Sequence, residues 1–105
     1  MKYSGYYTND FEKDFNKLDK SIKLEIKKVL INLEENPYTG KPLGFKFFRE
    51  KKVGKYRIYY LVYEDILVVY AIAISAKKDQ QQTINKIKSL IPYYKEEIKK
   101  KFNQP

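Results

Sequence analysis

Neither cysteine nor histidine occurs anywhere in these 105 residues, and tryptophan is absent too. Without cysteine there is no disulfide framework and no thiolate metal site. Without histidine, zinc and other imidazole-ligated metals lose their usual anchor. Proton relays through imidazole, including Ser-His-Asp and Cys-His mechanisms, are excluded as well. No metal or other cofactor is expected. A long apolar run is also missing. The longest, residues 61–76, is broken by Glu64 and Asp65 and is too short to span a membrane. The N-terminus MKYSGYYTND is polar and aromatic, unlike a signal peptide, so a soluble, cytoplasmic chain with no membrane partner is expected. Negative charge is scarce: 13 acids face 22 Lys and Arg, a net +9. Such an excess favours a nucleic acid or an acidic protein as partner. Lysine enrichment accompanies thermophily too, but there glutamate rises with it; here it does not.

What is present is enough for one modest core. Hydrophobic residues make up 43% of the chain, with 11 Tyr and 6 Phe, and the length suits a single domain. The tract VGKYRIYYLVYEDILVVYAIAISAKK, residues 53–78, reads as two strands, 55–64 and 65–78, folded back antiparallel. Period-2 alternation puts Tyr56, Ile58, Tyr60 and Val62 on one face of the first strand and Lys55, Arg57, Tyr59 and Leu61 on the other. The second strand is apolar on both faces, as in the interior of a sheet. Ala71, Ala73 and Ser75 are expected to line a shallow trough within reach of Arg57.

Upstream, residues 2–7 read as a short strand. Asn9 with Glu12 forms a capping box for a first helix carrying Phe11, Phe15 and Leu18. Asp19 opens a second helix to about Glu35, ended by Asn36-Pro37. The lysines on these two helices read as a solvated amphipathic face. Residues 38–44 (YTGKPLG) read as a loop, 45–50 as a strand and 51–54 as a turn. Downstream, Asp79 with Gln82 caps a helix carrying Ile84, Ile87, Leu90 and Ile91. Pro92 interrupts it or starts a tail helix, residues 92–105, with Tyr94, Ile98 and Phe102 spaced by four and a polar face of Lys95, Lys99, Lys100 and Lys101. The order β-α-α-β-β-β-α predicts an α+β fold. In it a small antiparallel sheet carries an N-terminal αα-hairpin and a C-terminal helix, with the helices mainly on one side.

Cations gather towards the open end of the hairpin: Lys46, Arg49, Lys52, Lys55, Arg57, Lys77 and Lys78. Arginine clamps phosphoryl oxygens through two donors, and a helix start after Asp79 favours anions. Arg57 stands inside a strand where an apolar residue would otherwise sit, which marks it as the leading phosphate ligand. Aromatic rings interleave with these cations, and Tyr59, on Arg57's face, is the best placed to stack a base. Cleavage of RNA by ribose 2′-OH attack needs a base, an acid and charge stabilisation of the phosphorane-like transition state. Arg57 and Arg49 suit the last role. Lys46, Lys52, Lys78 or Glu50 must supply the first two. Glu50 is the one carboxylate beside the cluster, where it either acts as base or pairs with a lysine.

Two helices after a first strand, then NPYTGKPLG, FREKKVGKYRIYYLVY and DILVVYAIAISAKKD, resemble the RelE/ParE superfamily of toxins from type II toxin–antitoxin modules. The resemblance covers about residues 1–91, and Val-Gly-x-Tyr-Arg-Ile-x-Tyr at 53–60 is its most specific part. It implies a toxin domain over 1–91 followed by a basic tail. RelE-like members cut mRNA in the ribosomal A site, so it implies a ribosome-dependent endoribonuclease. Arg57 and Lys78 then serve as the active-site basic pair, with Lys46 and Arg49 beside them as further catalytic cations. Lys52, Lys55, Tyr59 and Lys77 bind substrate. It also implies an acidic antitoxin as partner, the toxin being a monomer alone or a hetero-oligomer with it. ParE-like members keep the fold but poison DNA gyrase, which leaves a non-nuclease toxin as the alternative, or a degenerate relative that binds only RNA or its antitoxin. The final-helix tyrosine of RelE falls near Ile84, and the His and Glu of other ribosome-dependent relatives find no match; Tyr93 or Tyr94 replaces that tyrosine only if the tail folds back.

Overall fold

The computed structural model describes residues 2–102; the Phe102 side chain and residues 103–105, the end of the expected tail, lie outside the described part. The chain runs β1 (Ser4–Tyr7), α1 (Asn9–Asn16), α2 (Lys20–Glu35), β2 (Lys41–Phe45), β3 (Phe48–Val53), β4 (Tyr56–Tyr63), β5 (Val68–Ala76) and α3 (Gln80–Phe102). Single 3-10 turns at Pro37–Thr39 and Lys77–Asp79 lead into β2 and α3. The sheet has five strands in the order β1-β5-β4-β3-β2. All neighbours are antiparallel except β1, which lies parallel to β5 from Ser4↔Val68 to Tyr7↔Ala71. The fold is α+β, as expected, but the first strand's direction is not what an all-antiparallel sheet requires.

Local chemistry explains the element ends. Thr8 caps α1, one residue ahead of the expected Asn9, with its hydroxyl oxygen accepting from Phe11 N at 3.0 Å. The same hydroxyl donates to Ile72 O at 2.7 Å, so this cap also ties the helix to β5. α2 ends where Asn36 leaves helical geometry before Pro37, as a residue preceding proline must. Between β3 and β4 only Gly54 and Lys55 turn the chain, and Gly54 has φ +57°. A glycine with positive φ at the first central position is what a two-residue hairpin of this kind favours. The turn expected at 51–54 is therefore mostly strand. The 38–44 stretch, expected to be a loop, supplies β2. Its Pro42 is tolerated because β2 is an edge strand, with an irregular register between Pro42 and Phe45.

Both faces of β4 and β5 are covered. Phe11, Ile26, Val53, Ile58 and Ala71, together with Leu33, Tyr60 and Val62, form the core under α1 and α2. On the opposite face Phe48, Tyr59, Leu61, Tyr70 and Ile72 pack against Ile84, Ile87, Tyr94 and Ile98 of α3. Helices thus flank the sheet rather than gathering on one side. The trough expected along Ala71, Ala73 and Ser75 does not form. A register shift pairs Tyr59 with Ala73 but Tyr60 with Ala71, which turns Ala71 to the α1–α2 side, and α3 occupies the rest. Pro92 does not end α3, which continues through it to Phe102. A proline inside a helix costs about 3 kcal/mol. Burial of Tyr94 and Ile98 beyond it offsets that, at roughly 1.5–3 kcal/mol for each large apolar side chain. No helix among the described residues is long and apolar enough to cross a membrane.

Candidate anion-binding groove

Alternation along β4 sends Arg57, Tyr59 and Leu61 to the α3 face. The register sets Lys52 of β3 and Ser75 of β5 opposite Arg57, with Glu50 and Ala73 opposite Tyr59. α3 begins at this end of the sheet and runs along it to the other. Between its first residue and the edge strand an open groove of about 540 Å³ remains, lined by Lys41, Lys51, Lys52 and Arg57, by Glu50 and Gln80, and by Thr39 and Gly40. Four cations face one carboxylate there.

That carboxylate is unusual. Glu50 is 8% exposed, and both its oxygens accept from the Gln80 side-chain amide, at 2.9 and 3.0 Å. The pairing with a lysine expected as one alternative is not made: among the described residues no cation forms an ion pair with Glu50. Beneath it, the Tyr59 hydroxyl lies 2.8 Å from Ser75 Oγ. Burial pushes the Tyr59 phenol up from its ordinary pKa, opposed by the Ser75 hydrogen bond, so it stays neutral.

The groove's outer wall depends on tight backbone packing. A Cβ on Gly40 would collide with the Tyr60 hydroxyl and the Glu50 carbonyl oxygen. Gly40 N donates to Tyr60 Oη at 3.1 Å, and that hydroxyl donates to Pro37 O at 2.7 Å. Arg49 secures the same turn. Its guanidinium donates to Gly40 O at 2.9 Å, Lys46 O at 2.8 Å and Tyr38 O at 3.0 Å. Among the described residues, no group of His, Cys, Asp and Glu side chains converges to hold a metal ion.

A family model described as the ParE toxin of type II toxin–antitoxin systems, parDE, matches residues 6–80. The chain belongs to the ParE toxin family. Its fold recurs across the RelE/ParE superfamily. An arginine double mutant of E. coli RelE in the free state is 22% identical, with a TM-score of 0.70 over 82% of this chain and 93% of that one. The toxin–antitoxin complex RelBE2 of Mycobacterium tuberculosis contains a chain 21% identical, with a TM-score of 0.66 over 73% and 100%. A YoeB/ParE toxin from Agrobacterium tumefaciens is 16% identical, with a TM-score of 0.61 over 70% and 96%. No curated protein matches the sequence. The family match ends where α3 begins, so this toxin's long C-terminal helix lies almost wholly beyond it.

The residues expected to form the toxin's site are only partly brought together. Arg57 and Lys52 line the groove. Lys55 stands exposed in the β3–β4 turn, 5.7 Å from the Tyr56 ring centre. Lys77 and Lys78 are exposed on the 3-10 turn after β5, at the same end of the sheet but outside the lining. Tyr59 is 0% exposed and cannot stack a base, because α3 covers its face. Arg49 and Lys46 lie elsewhere. Arg49 pairs with Tyr60 in the register, hence on the α1–α2 face, and Lys46 sits in the turn at the far end of β3. Both rest over the Tyr38 ring, at 5.4 and 4.9 Å from its centre. Tyr94 packs edge-on to Tyr70, 6.4 Å between centres. At about 1.5 Å per helical residue, it and Tyr93 lie roughly 20 Å from Gln80 and do not replace the missing final-helix tyrosine. Lys41, Lys51 and Gln80 were not anticipated. Reading 41–45 as an edge strand would have found the first, and placing the start of α3 beside Arg57 the last.

Proposed function

We propose that the groove is a phosphodiester-cleaving site and that the toxin cuts mRNA bound to the ribosome. The observation that carries this reading is the juxtaposition of Glu50 and Arg57 on one face of neighbouring strands, within a cationic groove. Glu50 takes the proton of a ribose 2′-OH, whose oxygen forms a bond to the adjacent phosphorus. The bond from phosphorus to the 5′-oxygen breaks, and Lys52 supplies the proton that oxygen needs. The products are a 2′,3′-cyclic phosphate and a free 5′-hydroxyl. Arg57 stabilises the charge that develops on the non-bridging oxygens, while Lys41 and Lys51 hold the flanking backbone. Lys78 and Lys77, at the rim, meet the RNA only once it is bound, and Lys55 does the same from the turn. Alignment of the RNA comes from the ribosome rather than from this shallow groove.

An acidic antitoxin is the expected partner. Superfamily structures such as the E. coli RelBE toxin–antitoxin complex, whose RelE shares the fold, and the net +9 charge both support it. A second reading, a toxin acting on DNA gyrase without nuclease activity, draws support from the ParE description of the matched family. Induction in cells separates the two. For a nuclease, Arg57→Ala relieves growth arrest, and wild-type induction leaves cleaved mRNA with intact DNA. Full toxicity of folded Arg57→Ala, or intact mRNA with DNA damage, overturns the nuclease reading.

A further inference from the structure

Gln80 joins α3 to the carboxylate at the centre of the groove. Its backbone N–H donates to Lys77 O, and one turn on, the Thr83 hydroxyl donates to Asp79 O at 2.8 Å, so the start of the helix is anchored on its own backbone. Ile84 and Ile87 then bury against the sheet. The Gln80 side chain reaches back across the groove to Glu50. The near-equal distances of 2.9 and 3.0 Å to the two oxygens put the amide nitrogen close to the bisector of the carboxylate. That contact fixes where the carboxylate sits over β3, since rotation about the inner side-chain bonds of Glu50 would carry both oxygens out of reach of the amide.

The choice of an amide is informative. Four cations line the same groove, and two of them, Lys52 and Arg57, share the face of the sheet that carries Glu50. A cation there would orient Glu50 but also offset its charge, and a carboxylate so neutralised is a poor proton acceptor. A neutral donor orients it and leaves the charge in place. We infer that Gln80 is a positioning residue, which holds the Glu50 carboxylate at the place in the groove from which it accepts the 2′-OH proton. This rests on the reading of Glu50 as the base.

The test is single-turnover cleavage of mRNA on programmed ribosomes, with rate and half-saturation measured separately. Gln80→Met keeps the length and removes both donors. Gln80→Asn keeps the amide but withdraws it by one methylene. Both are expected to lower the saturating rate about 10- to 100-fold, the range for a misplaced reacting group, with half-saturation unchanged. Thr83→Ala, which loosens the same helix turn without touching Glu50, is expected to cleave like wild type. A wild-type saturating rate in either folded Gln80 variant overturns the inference. So does a loss confined to half-saturation, or an equal loss in Thr83→Ala. Absence of cleavage by the wild type ends the nuclease reading itself, and is seen before any variant is compared.

Discussion

At the scale of single residues, the two arginines stand in different surroundings. Arg57 is half-buried and lines the groove, where the proposed reading has it meet a phosphate. Arg49 spends its donors on three carbonyl oxygens of the 37–46 segment. Hydrogen bonds from a charged donor contribute about 1.5–3 kcal/mol. Arg49→Met is thus expected to lower stability by about 2 kcal/mol, roughly a 10 °C fall in melting temperature for a domain of this size. Measured below that transition, its cleavage rate stays within about twofold of wild type, the usual reach of a change away from the reacting groups. A loss as deep as that of Arg57→Ala would return Arg49 to the active site. Strand alternation was enough to place Arg57 from sequence, whereas Lys52 was read as part of a turn. Alternation could not sort Arg49 from the groove cations, because the phase of β3 depends on where its turns fall: the first lies two residues past Gly44, and the strand runs on to Val53, right up to Gly54.

At the scale of elements, α3 is the least legible part of the chain and the one on which the site most depends. Pro92 argues locally for a break, yet Tyr94 and Ile98 lie nine-tenths or more buried beyond it, and tertiary packing overrides the local signal. The same helix explains why Tyr59 is core rather than a stacking platform. Truncating a buried isoleucine to alanine costs about 2–5 kcal/mol. Ile98→Ala is therefore expected to lower the melting temperature strongly and to free the C-terminal half of α3 first, seen as lost amide protection in residues 93–102. Uniform loss of protection over the whole domain would instead make that half an inseparable part of the fold. β2 escaped notice for a related reason. An exposed edge strand has no alternating apolar face, and its Pro42 and Gly44, with Gly40 just before it, carry the signature of a loop. The parallel pairing of β1 was equally invisible, since partner choice across a long crossover leaves no mark in the local sequence.

For the molecule as a whole, the tyrosines dominate the response to pH. Tyr38 and Tyr70 are pushed up to about 12, chiefly by burial. Burial likewise raises Tyr59, Tyr60, Tyr63 and Tyr94 above the ordinary value of 10.0. The unfolded chain then releases these protons at lower pH than the folded one, so the folded state holds more of them in the interval. Stability is full below about pH 10 and falls as pH rises towards 12. A steep alkaline unfolding in that window is expected, with tyrosinate absorbance rising together with loss of circular dichroism. Tyrosinate beyond what exposed rings such as Tyr7 and Tyr93 can supply, appearing well before unfolding, would mean that the other rings are less buried than described. If the proposed site acts on ribosome-bound RNA, the net charge of +9 predicts binding that weakens steeply with salt at neutral pH, as phosphate contacts do.

The most direct test is the chemistry of the RNA ends. Programmed ribosomes carrying a defined mRNA are mixed with wild type, Arg57→Ala and Glu50→Gln, each shown to be folded. The expected result is a new 5′-hydroxyl end and a 2′,3′-cyclic phosphate with wild type, and cleavage reduced at least about 100-fold in each variant, the usual loss when a principal catalytic group is removed. Intact mRNA with the wild type, or equal cleavage by wild type and Glu50→Gln, would contradict the assignment of this groove as the nuclease site.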